Sequence, residues 1–311
     1  MQPLFLKPVF KERIWGGTAL HKEFGYEIPT KQTGECWAIS AHPNGSSIIE
    51  NGSFAGFTLD KLWREYPELF GSPKEEIFPL LTKILDANMD LSVQVHPDDA
   101  YAMIHENGEL GKAECWFIID CKEDADIILG HNARTKEELV ELIKERKWNN
   151  LLRHVKIKPG DFFYVPSGTI HALCEGTLVL ETQQSSDITY RVYDYDRRDA
   201  EGNLRELHIE KAMDVTSVPH QDCEIVEQRE NVTQTIFVES EFFSVYKWDI
   251  QGKSIFSWND KYLLLSVIKG EGTLVQNEIP YSLKKGMHLI IPAGFGEFAI
   301  DGDCELIVSH T

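Results

Sequence analysis

Apolar residues along this chain fall mostly in short runs punctuated by Gly, Pro, Asn and Asp, among them CWAISA, LSVQVH, ECWFIID, DIILG, DFFYVP, TLVLETQQ, ITYRVYDY, YLLLSVIKG, HLIIPAG and CELIVS. Regular spacing of short β-prone runs predicts a mainly β protein built as sandwiches or barrels. Two segments have a different period. In TLDKLWREYPELFG, Leu59, Leu62, Trp63, Tyr66 and Leu69 recur at helical spacing. TKEELVELIKERKWNNLL opens on the capping-box pair Thr135 and Glu138 and continues as an amphipathic helix. Helical segments are therefore expected near 58–71 and 135–152, as a small insertion on a β core.

An internal echo divides the chain. IKPGDFFYVPSGTIHAL (157–173) and LKKGMHLIIPAGFGEFAI (283–300) align so that Gly160 meets Gly286, Pro166 meets Pro292 and Gly168 meets Gly294. Each copy is a Gly turn feeding an apolar strand that ends in Pro-x-Gly, which points to two copies of one β fold. Glu297 stands in the second copy where the first has His171, so the second is expected to lack an equivalent site. The expected division is 1–220 and 221–311, within the linker SVPHQDCEIVEQRENV.

Charge narrows the partners. With 31 basic and 50 acidic side chains the chain carries a formal −19, a surface that repels a nucleic-acid backbone. A small anionic substrate stays possible, because salt confines the general field to roughly 10 Å and a local basic pocket can prevail. MQPLFLKPVF has no signal-peptide pattern, and no apolar run approaches the length of a membrane span. The six cysteines are scattered without a CxxC and read as reduced thiols of a cytoplasmic protein. The Asn-x-Ser/Thr triplets at Asn44, Asn51 and Asn231 then read as turns rather than glycan acceptors.

The candidate chemistry begins at LSVQVHPDDAYA. Gln94 and His96 are two apart on a strand and project to one side, and Asp98 or Asp99 caps a helix that follows Pro97. Alone, such a pair reads as a polar strand end facing water. Other motifs change that reading. Gly160, Pro166, Gly168 and His171 form a Gly-x5-Pro-x-Gly-x2-His pattern that resembles the second motif of the cupin superfamily, whose members are double-stranded β-helix barrels holding a metal in the barrel mouth. Glu114 sits between Ala113 and Cys115 ahead of WFII, where a carboxylate needs a partner to be buried.

Taken together, LSVQVHPDDAYA, GKAECWFII, VPSGTIHAL and the arginine of SSDITYRVYDYDR resemble the signature set of type I mannose-6-phosphate isomerases in their short bacterial form; FKERIWGGTAL and GECWAISAHPNG match that style too. The resemblance implies two cupin-type, jelly-roll-like barrels, the second degenerate and metal-free. It also implies one zinc ion per chain, held by Gln94, His96, Glu114 and His171. The implied reaction interconverts mannose 6-phosphate and fructose 6-phosphate by proton transfer through a cis-enediolate. Arg191 matches the family's active-site arginine, and Ser92 and Lys112 share the strand faces of the ligands and line the pocket. The base stays open between Glu181 and Lys112. The family's usual lysine after the arginine segment is missing, which leaves Arg197 or Arg198 as phosphate contacts. A monomer or a homodimer is equally compatible.

Two other classes remain beside this one. A metal-dependent cupin dioxygenase would use similar ligands around iron, and a non-catalytic sugar-phosphate-binding cupin would keep the barrel without turnover.

Overall fold

A computed structural model of the chain describes residues 1–198, 201–223, 228–229, 233–259 and 261–311. The Asn231 triplet and part of the expected linker lie outside the described residues. Three large antiparallel sheets carry the fold. One has five strands in the order Leu152–Lys156, Asp126–His131, His171–Leu173, Val93–Val95, Tyr190–Tyr193. Its six-stranded partner runs Phe162–Val165, Glu114–Cys121, Thr177–Gln184, Leu80–Ala87, Thr33–Ile39, Val9–Gly17. The third is formed mainly by the C-terminal strands. The mainly β, jelly-roll-like architecture is as expected, although the sheets stay open rather than closing into continuous barrels.

Strand alternation decides what fills the space between the first two sheets. Trp116, Ile118 and Val179 of the six-stranded sheet pack against Ile127 and Leu173 of the five-stranded one. Their neighbours in sequence point the other way: Cys115, Phe117, Leu178 and Leu180 join a core shared with Val245, Leu264, Ile290 and Ile307 of the C-terminal sheet. That sheet therefore backs the strands bearing Glu114 and Glu181 and holds them against their own core. Leu4–Lys7, although it opens the chain, pairs with His288–Ile291 of the C-terminal sheet.

Helices cover the outer face of the five-stranded sheet, where Val93, Val95, Ile128 and Ala172 meet Leu139, Ile143, Leu151 and Ala212. The helix Lys136–Lys144 starts at Thr135, whose hydroxyl accepts the Glu138 amide at 3.2 Å. The return arm of the capping box shifts by one residue, with Glu138 accepting the amide of Arg134 at 2.8 Å. Leu59–Glu65 is helical, but the pattern breaks at Tyr66 and resumes as a tighter 3₁₀ turn, Pro67–Phe70. A proline disfavours helical backbone in the residue before it.

The internal echo is structural as well. Gly160 and Gly286 take positive φ of 93° and 87°, and Gly168 and Gly294 take 82° and 72°, so both copies make the same turns around the strands Phe162–Val165 and His288–Ile291. Glu297 is exposed, and among the described residues no cluster of metal-ligating atoms falls in the C-terminal sheet. Asn44 occupies a turn as expected, whereas Asn51 bonds the Phe5 amide and the Pro3 carbonyl and anchors the first strand.

Candidate metal centre and active site

The two Gly/Pro breaks noted in the sequence bring the centre together. After Pro166 the chain turns through Gly168, whose amide donates to the His96 carbonyl at 2.8 Å. A Cβ at Gly168 would lie 2.5 Å from Ser217 Oγ. The Lys112 amide donates to the Pro97 carbonyl at 3.0 Å, which brings the Glu114 strand alongside. In sheet register Gln94 stands directly between His171 on one neighbouring strand and Arg191 on the other. Asp98 caps the helix Asp99–His105 by accepting the Tyr101 amide at 2.8 Å, so the chain leaves the site as soon as its ligand strand ends.

His96, Glu114 and His171 are at most 1% exposed and their ligating atoms converge. His96 Nε2 is 3.1 Å from Glu114 Oε1, and His171 Nε2 is 3.6 Å from Glu114 Oε2. His171 Nδ1 lies 2.8 Å from the Thr169 carbonyl oxygen. A carbonyl only accepts, so Nδ1 carries the proton and the neutral ring turns a lone pair toward the carboxylate. Glu114 Oε2 has no hydrogen-bond donor although it is buried. Two acceptors facing each other in a dry interior are unfavourable unless a cation lies between them.

Burial foremost, with the Lys112 charge adding to it, depresses His96 to about 3, and burial depresses His171 as well. Both imidazoles are therefore neutral ligand donors. Burial opposes the charge on Glu114, but the Lys112 ammonium outweighs it and holds the carboxyl well below its ordinary range. The Lys112 ammonium contacts Glu114 Oε1 and stands 3.1 Å from His96 Nε2. It occupies the position where a cation satisfies both groups. A divalent ion fits this donor set, two imidazole nitrogens and a carboxylate. Gln94 presents its amide nitrogen 3.4 Å from His171 Nε2; as a fourth ligand it would turn over to offer oxygen.

Above the centre opens a cavity of about 390 Å³ lined by Ser92, Gln94, Lys112, Glu181 and Arg191. It gathers these sequence-predicted residues in one place, over the three buried ligands. Arg13, Lys83 and Arg205 line it too, so five basic side chains face three acidic ones, Glu35, Glu181 and Asp187. A locally basic pocket thus exists on a chain of net charge −19. Glu181 accepts from Trp116 Nε1 at 3.0 Å and lies 3.5 Å from Lys83 Nζ. Burial first, and the Glu114 charge second, raise its pKa to about 7 against the pull of Lys83 and Lys112.

Arg197 and Arg198 do not line the cavity. Arg197 is bound to Asp194 and to the Asp90 carbonyl, and Arg198 donates to the Gly202 carbonyl. Arg205 does reach the cavity, with Asp194 gripping its guanidinium. Arg191 donates to the Glu206 carbonyl at 2.8 Å while its Nε remains unpaired. Sequence reasoning missed Lys83, Arg13, Glu35 and Arg205. Lys83 alone carried a signal, a lysine on the otherwise apolar strand face of Leu81, Leu85 and Ala87. Arg13 and Glu35 are joined by a bidentate pair of 2.7 and 3.2 Å across neighbouring strands, a contact no local pattern announces.

Two family models match the chain. Residues 4–120 match the family model described as phosphomannose isomerase type I, catalytic domain, and 233–311 match mannose-6-phosphate isomerase, cupin domain. The mannose-6-phosphate isomerase ManA of Bacillus subtilis is 58% identical over 312 residues, covering 99% of each chain. The mannose-6-phosphate isomerase of Streptococcus mutans is 52% identical, covering 100% of this chain and 98% of its own. A crystal structure of mannose 6-phosphate isomerase from Bacillus subtilis superposes with a TM-score of 0.98 at 57% identity over both whole chains. Phosphomannose isomerase of Salmonella typhimurium shares the fold, with a TM-score of 0.84 at 17% identity over both whole chains.

Proposed function

The chain belongs to the type I phosphomannose isomerase family, and from that premise we propose that it interconverts mannose 6-phosphate and fructose 6-phosphate with one zinc ion held by Gln94, His96, Glu114 and His171. The observation that carries the metal is the buried pair of facing acceptors, His171 Nε2 and Glu114 Oε2, 3.6 Å apart. When bound there, the ion would supply Lewis acidity to the substrate's oxygens.

The chain's own residues do the rest. Glu181, held half-ionised near neutral pH, takes the proton from C2 and returns it at C1, passing through a cis-enediolate. Burial lowers the affinity of Lys112 for its proton, but Glu114 and Glu181 outweigh this and raise it. Lys112 therefore serves as a fixed positive charge beside the enediolate rather than as the base. With an ion held at Glu114, the Lys112 ammonium would serve the cavity it already lines. Arg191 and Arg205 form a basic wall that binds the phosphate and orients the sugar, and Ser92 lines the pocket next to Gln94.

In this reading residues 1–220 are the catalytic unit and 221–311 a metal-free companion that takes in the strand Leu4–Lys7. Six free cysteines support a cytoplasmic setting. Turnover of mannose 6-phosphate is to be followed on purified protein as isolated, after chelation, and after zinc is restored. Activity lost on chelation and recovered with zinc is the expected result. Stoichiometric zinc without conversion would overturn the substrate assignment, and turnover that survives complete removal of metal would overturn the role of the ion.

A further inference from the structure

A second group of ligating side chains lies on the opposite face of the five-stranded sheet from the catalytic cavity. Asp126, His154 and Cys174 come from three adjacent strand positions. Ile127 pairs with Leu173 and Ile128 with His154, so the three side chains share the outer face. Their donor atoms all lie within 4.8 Å of one another. Around a tetrahedral ion with bonds of about 2.0–2.3 Å, two donors stand about 3.3–3.8 Å apart. The group closes by about 1 Å to hold a metal, and the half-exposed His154 side chain supplies that movement by rotation.

We propose that Asp126, His154 and Cys174 form a second metal site, selective for a borderline divalent ion of the zinc and cobalt class. The donor set of one carboxylate, one imidazole and one thiolate excludes magnesium and calcium, which prefer oxygen throughout. The surroundings favour a cation. A cavity of about 560 Å³ opens over the three residues, and among the described residues Asp90, Asp124, Asp126 and Glu175 line it against Lys122. That lysine is drawn off toward Glu175 at 3.3 Å. Lys156, opposite Asp126 in register, donates to the Asp124 carbonyl at 2.6 Å instead of to the carboxylate. Asp126 instead has His154 Nδ1 at 3.3 Å.

Cys174 is 8% exposed; burial first, with the nearby Asp90 and Asp126 charges, pushes its pKa up. Without metal the site is therefore a protonated thiol. Binding forms the sulfur–metal bond as the thiol proton leaves to solvent, so affinity rises with pH. The ion would clamp three strands together at the end of the strand that carries His171, on the face remote from the substrate.

Cobalt(II) tests the site directly. The catalytic set of Gln94, His96, Glu114 and His171 contains no sulfur, so a thiolate-to-cobalt charge-transfer band does not arise from it. Full-length protein with zinc already in its catalytic site is titrated with cobalt(II). The expected result is a band that saturates at one equivalent, vanishes in Cys174→Ser, and needs about tenfold or more cobalt in His154→Ala and Asp126→Asn. His154 is on the surface, so His154→Ala keeps the fold and carries the test if the buried serine variant does not. Absence of the band in the parent protein at saturating cobalt overturns the proposal. So does a band that survives Cys174→Ser, which would come from another thiol such as the exposed Cys223.

Discussion

Lys83 and Glu181 face each other directly across neighbouring antiparallel strands, with 3.5 Å between ammonium and carboxylate and both side chains about 5% exposed. On the far side of Glu181, also in direct register, is Trp116, whose indole donates to the same carboxyl. The carboxyl is thereby fixed in orientation and its proton affinity set by competing terms: burial and Glu114 raise it, Lys83 and Lys112 lower it.

This arrangement fixes a pH dependence. A base must be ionised, and Glu181 is raised from 4.5 to about 7, so kcat/KM rises with pH through an acid limb. Removing the Lys83 charge in Lys83→Met raises the carboxyl further and moves the limb to higher pH. A limb that stays in place in that variant would sink the assignment of Glu181. The effect on stability has the opposite sense. A carboxyl raised on folding contributes stability that is full below about 4.5 and lost as pH rises through about 7; Glu181→Gln removes that dependence from the melting curve.

Phosphate recognition is separable from chemistry. Arg205→Ala is expected to raise KM for mannose 6-phosphate about 10–100-fold, the equivalent of one or two charge-assisted hydrogen bonds, with a smaller change in kcat. Arg197→Ala leaves KM within about twofold, because that guanidinium serves Asp194 and the Asp90 carbonyl outside the cavity. Steady-state kinetics of the two variants side by side decides the matter.

Glu114→Gln removes both the anionic ligand and the partner of a buried ammonium. Zinc content by elemental analysis is expected to fall to background. Metal-free stability should drop by about 3–5 kcal/mol relative to metal-free parent, as for other buried charges left alone. Denaturant melts of the two chelated proteins measure that difference.

A tie between the N-terminal segment and the C-terminal sheet gives a prediction independent of catalysis. Tyr26 donates to the Gly286 carbonyl at 2.7 Å and lies 2.8 Å from Nε2 of the buried His288, whose Nδ1 is 2.9 Å from Ser266 Oγ. The hydroxyl gives its proton to the carbonyl, so His288 donates through Nε2. Tyr26→Phe leaves that N–H and the carbonyl unsatisfied and should cost about 1–3 kcal/mol, with kcat unchanged. Equilibrium unfolding reads it.

Much of the candidate metal centre is determined by local sequence, because the two-residue period of a strand is covalent geometry. Gln94 and His96 had to share a face, as did Lys112 and Glu114, and the Pro-x-Gly turn had to return the chain at His171. The strand runs, the two helical insertions and the echo between 157–173 and 283–300 are local for the same reason. What local pattern could not decide is which strands become neighbours. Sheet register sets Lys83 opposite Glu181, joins Arg13 to Glu35 and places the first strand beside His288–Ile291. The fold also selects Arg205 over Arg197 and Arg198 for the cavity, through the competition of Asp194 and two backbone carbonyls for the guanidinium groups. Those contacts join residues far apart in the chain, and only the packed sheets bring them within reach of one another.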